Sequence, residues 1–163
     1  GLQQANGLTQ IRHSGRWIMD FFTGLKVATT GLSVQRTRMN VTASNLANAE
    51  TTRTEEGGAY RRRSAVVAAV PLSHTFEEVF GDALHDQTHG AQVMAIEKDA
   101  EPGRLVFNPD HPDANPEGYV EMPNVNAISE MVNMLTASRG YEANVSALKA
   151  LKGMAQNALE IGD

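Results

Sequence analysis

The sequence predicts an α+β protein: elongated, with long N- and C-terminal helices paired as a coiled-coil-like core and a small antiparallel β-rich middle domain. Three observations predict it. A seven-residue apolar repeat runs from about Met19 to Asn48. A second series, spaced alternately by three and four, runs from Met134 to Ala158. Between them lie short β-branched segments broken by proline. Helices repeat every 3.6 residues and strands every two, so the change of period marks the change of element.

In the first segment Leu25, Leu32, Met39 and Leu46 recur every seven residues, with Phe22, Thr29, Arg36 and Ala43 three residues before each. A second row, Val27, Val34 and Val41, has the same repeat. Two residues along a helix turn through about 200°, which places the valines nearly opposite the leucines. One apolar face serves a partner within the chain, and the other needs a partner outside it. The expectation is that the leucine row meets the C-terminal helix near Tyr141, Leu148 and Leu151, and that Val27, Val34 and Val41 meet a neighbouring subunit. The helix closes in Ser44-Asn45-Leu46-Ala47-Asn48, where asparagine tolerates a left-handed C-terminal residue. Glu50 to Gly58 reads as loop.

The C-terminal helix is expected over about 126–161. Asn124 and Asn126 are candidate N-caps, and Glu130 sits near the positive end of the helix dipole. Met134, Ala137, Tyr141, Asn144, Leu148, Leu151, Ala155 and Ala158 form a coiled-coil seam. Asn144 supplies one polar layer in it, a device that fixes register. Ile128, Val132, Leu135 and Val145 widen the apolar surface beyond the seam. Thirty helical residues span about 45 Å and thirty-six about 54 Å. A compact globule of this length has a radius of gyration of about 15 Å, so uninterrupted helices would protrude from it.

The middle, about Tyr60 to Met122, reads as strands at Ser64–Leu72, Ala91–Lys98, Leu105–Phe107 and Tyr119–Met122. Prolines 109, 112 and 116 make a dense turn between the last two. Ser73 to Gly90 is polar, with one short helix expected around Phe76–Leu84. The organisation read from the chain is 1–18, an extra N-terminal arm with no assigned role; 19–58, helix and loop; 59–123, the β-rich middle; and 124–163, the C-terminal helix.

Composition narrows the function. The 163 residues contain no cysteine, which excludes disulfides, a thiol nucleophile and thiolate metal sites. No apolar run reaches the ~20 residues that span a bilayer. Arg12, His13, Ser14, Gly15 and Arg16 interrupt the start before any secretory-type apolar stretch. The net charge of −5 is segregated: residues 1–64 carry nine Lys/Arg and four Asp/Glu, residues 65–122 two and eleven. A basic end beside an acidic middle suits head-to-tail contact between copies, and the lack of a basic face argues against nucleic acid.

Few clusters offer chemistry. His85 and His89 stand at i and i+4, a spacing that can ligate one metal on a helix, but Asp86 replaces the glutamate a zinc peptidase would use as base. His111-Pro112-Asp113 belongs to the turn, where Asp110 and Asp113 favour local side-chain bonds to backbone amides. Arg61-Arg62-Arg63 reads as a solvated start of a strand or a contact with an acidic neighbour. Phosphate loops, nucleophile elbows and dinucleotide fingerprints are absent from the sequence. No catalytic residues, metal or cofactor are expected, and the chain is not expected to be an enzyme.

Several ordered motifs carry a family likeness. Gly31 to Met39 with Ser44-Asn45-Leu46-Ala47-Asn48 resembles the N-terminal segment of bacterial flagellar axial proteins of rod, hook and hook-associated type. Thr51-Thr52-Arg53-Thr54 with Gly57-Gly58-Ala59-Tyr60 narrows the resemblance to proximal rod proteins. Asn108-Pro109-Asp110-His111-Pro112-Asp113, Gly118-Tyr119-Val120 and Arg139-Gly140-Tyr141-Glu142-Ala143-Asn144-Val145 extend it over about residues 19–161.

The resemblance implies a structural subunit of the periplasm-spanning flagellar rod, the drive shaft of the basal body. It implies export through the flagellar type III apparatus without a cleaved signal. It implies assembly with copies of itself and with other rod proteins (the FlgB, FlgF and FlgG types), and a base docked to the membrane ring through an adaptor of the FliE type. Residue by residue it points to Ser44, Asn45, Leu46, Ala47, Asn48, Gly57, Gly58, Tyr60, Asn108, Pro109, His111, Pro112, Asp113, Tyr141, Glu142 and Asn144. The helix-packing set read from periodicity is Leu25, Val27, Leu32, Val34, Met39, Val41 and Leu46 with Met134, Tyr141, Asn144, Leu148 and Leu151. Open, non-closing contacts through such faces build helical filaments. The alternatives are a coiled-coil module forming a closed dimer and a metal-dependent hydrolase on His85 and His89.

Overall fold

A computed structural model describes residues 2–72 and 88–161, with side chains over 21–72 and 88–160. The order is α1 (Leu2–Ala47), β1 (Arg63–Pro71), β2 (His89–Lys98), β3 (Leu105–Phe107), β4 (Tyr119–Glu121) and α2 (Ala127–Ile161). This is the α+β arrangement expected, with a long helix at each end and short strands between. The helix α1 begins at Leu2, upstream of the Met19 start expected from periodicity. The short helix expected at Phe76–Leu84 and His85 lie outside the described residues. β1 pairs with β2, and β3 with β4, in two separate two-stranded sheets.

The chain divides into two compact units. The first comprises Gly1–Ser33, Ala69–Gln92 and Glu142–Asp163. In it, α1 meets α2 through small residues. The hydrogens of Gly24 face the Leu151 methyls, and Ala28 is buried. A Cβ on Gly31 would lie 2.9 Å from the Asn144 amide, so glycine lets the polar layer seat against the helix backbone. Seven residues forward on α1 are seven back on α2, an antiparallel register. Thr30 Oγ1 donates to Val27 O at 2.7 Å and accepts from Ala91 N at 3.2 Å, which ties the start of β2 to the helix. Leu72 covers Gly90, and its amide donates to Thr88 O.

The second unit comprises Val34–Ala68 and Val93–Tyr141. Its core is Val34, Tyr60, Ala59, Val120 and Ala137, together with the buried polar residues Thr42, Asn45 and Glu130. The register is again antiparallel: Gln35 lies against Gly140, and ten residues on, Asn45 meets Glu130. β3 and β4 pair Leu105 with Glu121, Val106 with Val120 and Phe107 with Tyr119. Val120 points into the core. Phe107 and Tyr119 make an edge-to-face pair at 5.3 Å on the exposed face, a favourable aromatic geometry.

Two expectations about α1 are corrected. The first concerns its end. No described non-glycine residue has a positive φ. Instead Asn48 donates through Nδ2 to Ser44 O at 2.9 Å, satisfying a terminal carbonyl with a side chain, and its Oδ1 accepts from Thr51. The second concerns its faces. Val34, expected to meet a neighbour, is only 5% exposed within this chain. The intramolecular seam is centred on Gly24, Ala28, Gly31, Gln35, Thr42 and Asn45, a heptad-spaced line of small and polar residues between the two apolar rows. Leu25, Leu32, Met39 and Leu46 flank it half-buried, as do Val27 and Val41 on the other side. Phe22, Thr29, Arg36 and Ala43 are all exposed.

Candidate functional site

The second unit holds a buried polar knot built from three sequence-distant pieces. Asn45 comes from the last turn of α1, Tyr60 to Arg63 lead into β1, and Glu130 comes from the first turns of α2. Asn45 and Glu130 are each 1% exposed. Asn45 Nδ2 donates to Arg63 O at 2.8 Å and to Glu130 Oε2 at 3.0 Å. Its Oδ1 accepts from Arg63 N at 2.9 Å and from Tyr60 Oη at 3.0 Å. That fills every donor and acceptor site of the amide. The other Glu130 oxygen accepts from Arg62 Nε at 2.7 Å, the length of a charge-assisted bond. Arg63 then lies over the Tyr60 ring, 5.7 Å from its centroid.

Local chemistry places each member. Asn126 caps α2, its Oδ1 accepting from Ser129 N at 3.1 Å, which starts the helix so that Glu130 points inward. Asn124, the other candidate cap, instead accepts from Arg62 N at 2.7 Å and donates to Glu101 O, holding the basic segment in place. Gly57 and Gly58, at φ of 91° and 74°, make the turn that returns the chain to Tyr60; L side chains rarely adopt this geometry. Arg61 bonds Glu121 at 2.7 Å and Glu101 O. The three arginines therefore find carboxylates, a carbonyl and an aromatic ring inside their own unit, where the sequence suggested solvent or a neighbour.

The proline-rich turn is also tied down. Asn115 Oδ1 accepts from Glu117 N and Tyr119 N, and His111 Nδ1 accepts from Asp113 N at 3.1 Å. Asp113, expected to bond locally through its carboxylate, reaches back instead to Thr52 Oγ1 at 2.8 Å and lies 3.7 Å from Arg53. Asn108 accepts from His111 N, and Pro109 packs on Gly118. Of the family-motif residues, Ser44, Asn45, Asn48, Gly57, Gly58, Tyr60, Asn108, Pro109, His111 and Asp113 thus build this unit's scaffold. Tyr141 is half-buried, Glu142 is exposed, and Asn144 serves the first unit's seam. Met134, Leu148 and Leu151 are half-buried.

The outer face of the same stretch of α2 is apolar and open. Ile128 is 76% exposed, Met131 57%, Val132 58% and Leu135 54%. Their spacing of i, i+3, i+4 and i+7 makes one continuous stripe. A shallow cavity of about 300 Å³ lies between the Thr54–Arg61 loop, Arg63, Lys98 and Glu121. Its mouth carries a Lys98–Glu56 ion pair, whose hydrogen bond and positive charge hold the exposed Glu56 carboxyl below its ordinary range. His89 opens β2 and is exposed; among the described residues no group of three His, Asp or Glu is placed to hold a metal ion. No described helix is long and apolar enough to cross a membrane.

Sequence reading missed Arg62, Glu130 as a buried ligand of Asn45, and the small-residue seam. One signal was available: the three-four series on α2 continues backward from Met134 to Glu130, so a carboxylate occupies a seam position.

Long helices at both ends and short strands between them are the arrangement expected of the flagellar axial class, and comparison with known families agrees. Residues 25–53 match the family described as flagella basal body rod protein, and residues 117–161 match the C-terminal family of flagellar basal body rod FlgEFG proteins. The flagellar basal-body rod protein FlgC of Borreliella burgdorferi is 41% identical over 149 residues, covering 88% of this chain and 98% of the relative. FlgC of Bacillus subtilis is 40% identical over 151 residues, covering 88% and 99%. FlgC of Yersinia enterocolitica is 41% identical over 138 residues, covering 83% and 93%. The chain belongs to the FlgC family of flagellar basal-body rod proteins. It is a structural subunit of the flagellar rod.

Proposed function

We propose that the chain joins copies of itself and other rod subunits into a helical, tubular shaft that transmits torque, and that the exposed stripe of α2 is one face of that contact. The carrying observation is the stripe itself. Four large apolar side chains in a row stay more than half exposed on a helix whose other face buries Glu130 and Ala137. Covering such side chains is worth roughly 1–2 kcal/mol each, enough in sum to drive a specific contact. The half-buried rows Leu25, Leu32, Met39 and Leu46, and Val27 with Val41, are further surface that a neighbour can complete. On this reading residues 19–58 and 124–163 form the axial core and 59–123 the middle domain. Neighbours are the FlgB, FlgF and FlgG types and an adaptor of the FliE type at the base. Passage to the periplasm uses the flagellar export apparatus, and the chain has no catalytic role.

The test is Val132→Asp as the sole copy in a flagellated cell, with basal bodies purified and imaged. The expected result is a folded, soluble subunit and basal bodies that stop short of a complete rod. Complete rods would remove the stripe from the assembly. A purified parent chain that is a dimer at every concentration would favour the closed coiled-coil module instead.

A further inference from the structure

The first turns of α2 offer two faces that could pack on α1. Glu130, Met134 and Ala137 are spaced by four and three. Ile128, Val132 and Leu135 have the same spacing, two residues earlier, and two residues are about 200° of helix. The second trio is the more apolar, yet it is the one exposed, while Ala137 is 0% exposed and Glu130 1%. Hydrophobic burial alone therefore selects the face that the protein leaves open.

We infer that the Asn45–Arg62–Glu130 knot is a positioning device that sets which way α2 faces, and so presents the Ile128–Leu135 stripe outward. Rolling the helix to bury the stripe would withdraw Glu130 from Arg62 Nε and from Asn45 Nδ2. It would leave an amide that now has all its bonds short of one inside the core, a costly omission. A polar group at a seam position is a recognised means of excluding an alternative packing. Small residues assist, because Ala137 and Gly140 fit closely against α1, with Gln35 2.9 Å from where a Gly140 Cβ would lie. The device rests on the assembly reading only for the stripe's purpose; which way α2 faces can be read from the isolated chain.

The absence of cysteine makes the test clean. Single cysteines, Val132→Cys or Ala137→Cys, are labelled with a thiol reagent in the full-length chain. In the parent, position 132 should label fast and position 137 slowly. In Glu130→Ala, and in Arg62→Ala with Glu130→Ala, where no orphaned charge remains, the pattern should invert, with each rate moving about tenfold or more. Glu130→Gln, which keeps one of the two acceptors the knot uses, should shift both rates less than Glu130→Ala does. The parent pattern persisting in both alanine variants would overturn the inference, since packing alone would then set the facing. Fast labelling at both positions in the paired variant would also overturn it, showing that the knot only holds the fold. Neither result bears on whether Val132→Asp blocks rod formation, so the two readings fail separately.

Discussion

Glu130 and Ile128 stand two residues apart on α2, and each sits where the other's chemistry would suggest. The carboxylate is enclosed with a hydrogen bond on each oxygen, while the branched alkyl side chain faces outward. The difference teaches that the isolated chain is an unfinished object. Its inner face is completed by its own Asn45 and Arg62. Its outer face has the composition of a core without anything packed on it. A protein that ended its packing at the monomer would place these residues the other way round.

The comparison can be broken hardest at Asn45. Asn45→Asp keeps the shape but removes both donors and sets a second carboxylate beside Glu130. A loss of about 3 kcal/mol is expected, seen as a lower urea midpoint at unchanged slope. A smaller loss would mean that the knot is wet. Next are two substitutions on opposite faces of α2. Ala137→Leu overfills the closed face and should cost about 2 kcal/mol. Leu135→Ala on the open face should stay within about 0.5 kcal/mol in the monomer, while weakening assembly. Equal costs at the two positions would abolish the distinction between the faces. The least effect is expected at the exposed Lys98–Glu56 pair. Its Glu56 carboxyl is held below 4.5, so any contribution is present above that value and is lost as pH falls through the lowered one. Because the pair is solvated, Glu56→Gln should leave the midpoint at neutral pH unchanged; a measurable drop would make the cavity mouth part of the fold's support.

Much of the fold was legible. The three-four series on α2 runs through Ala137, Asn144 and Leu151, which are enclosed or lie against α1, because apolar periodicity and helical geometry share one period. Asn126 was readable as a cap, and the prolines bounded the β3–β4 turn. The α1 seam was not legible. A hydrophobic pattern search seeks large apolar residues, and this seam is made of glycine, alanine, glutamine, threonine and asparagine. It works by close approach, with Gly31 admitting Asn144 and Gly140 admitting Gln35. The leucine and valine rows are half-buried on either side of that contact, and Val34 is enclosed within the chain, so the valine row as a whole is not left for a neighbour.

By itself the sequence determined the two long helices, the β-rich middle, the turn chemistry and, through its ordered motifs, the rod family. These are properties of local spacing and residue type, and local interactions act before the chain is closed. Only the tertiary structure decided which face of each helix is inner, and that Arg62 and Asn45 would jointly enclose Glu130. The partners lie 68 and 85 residues from it along the chain. No periodic rule spans such separations, and a buried carboxylate is stable only once all its partners are in place.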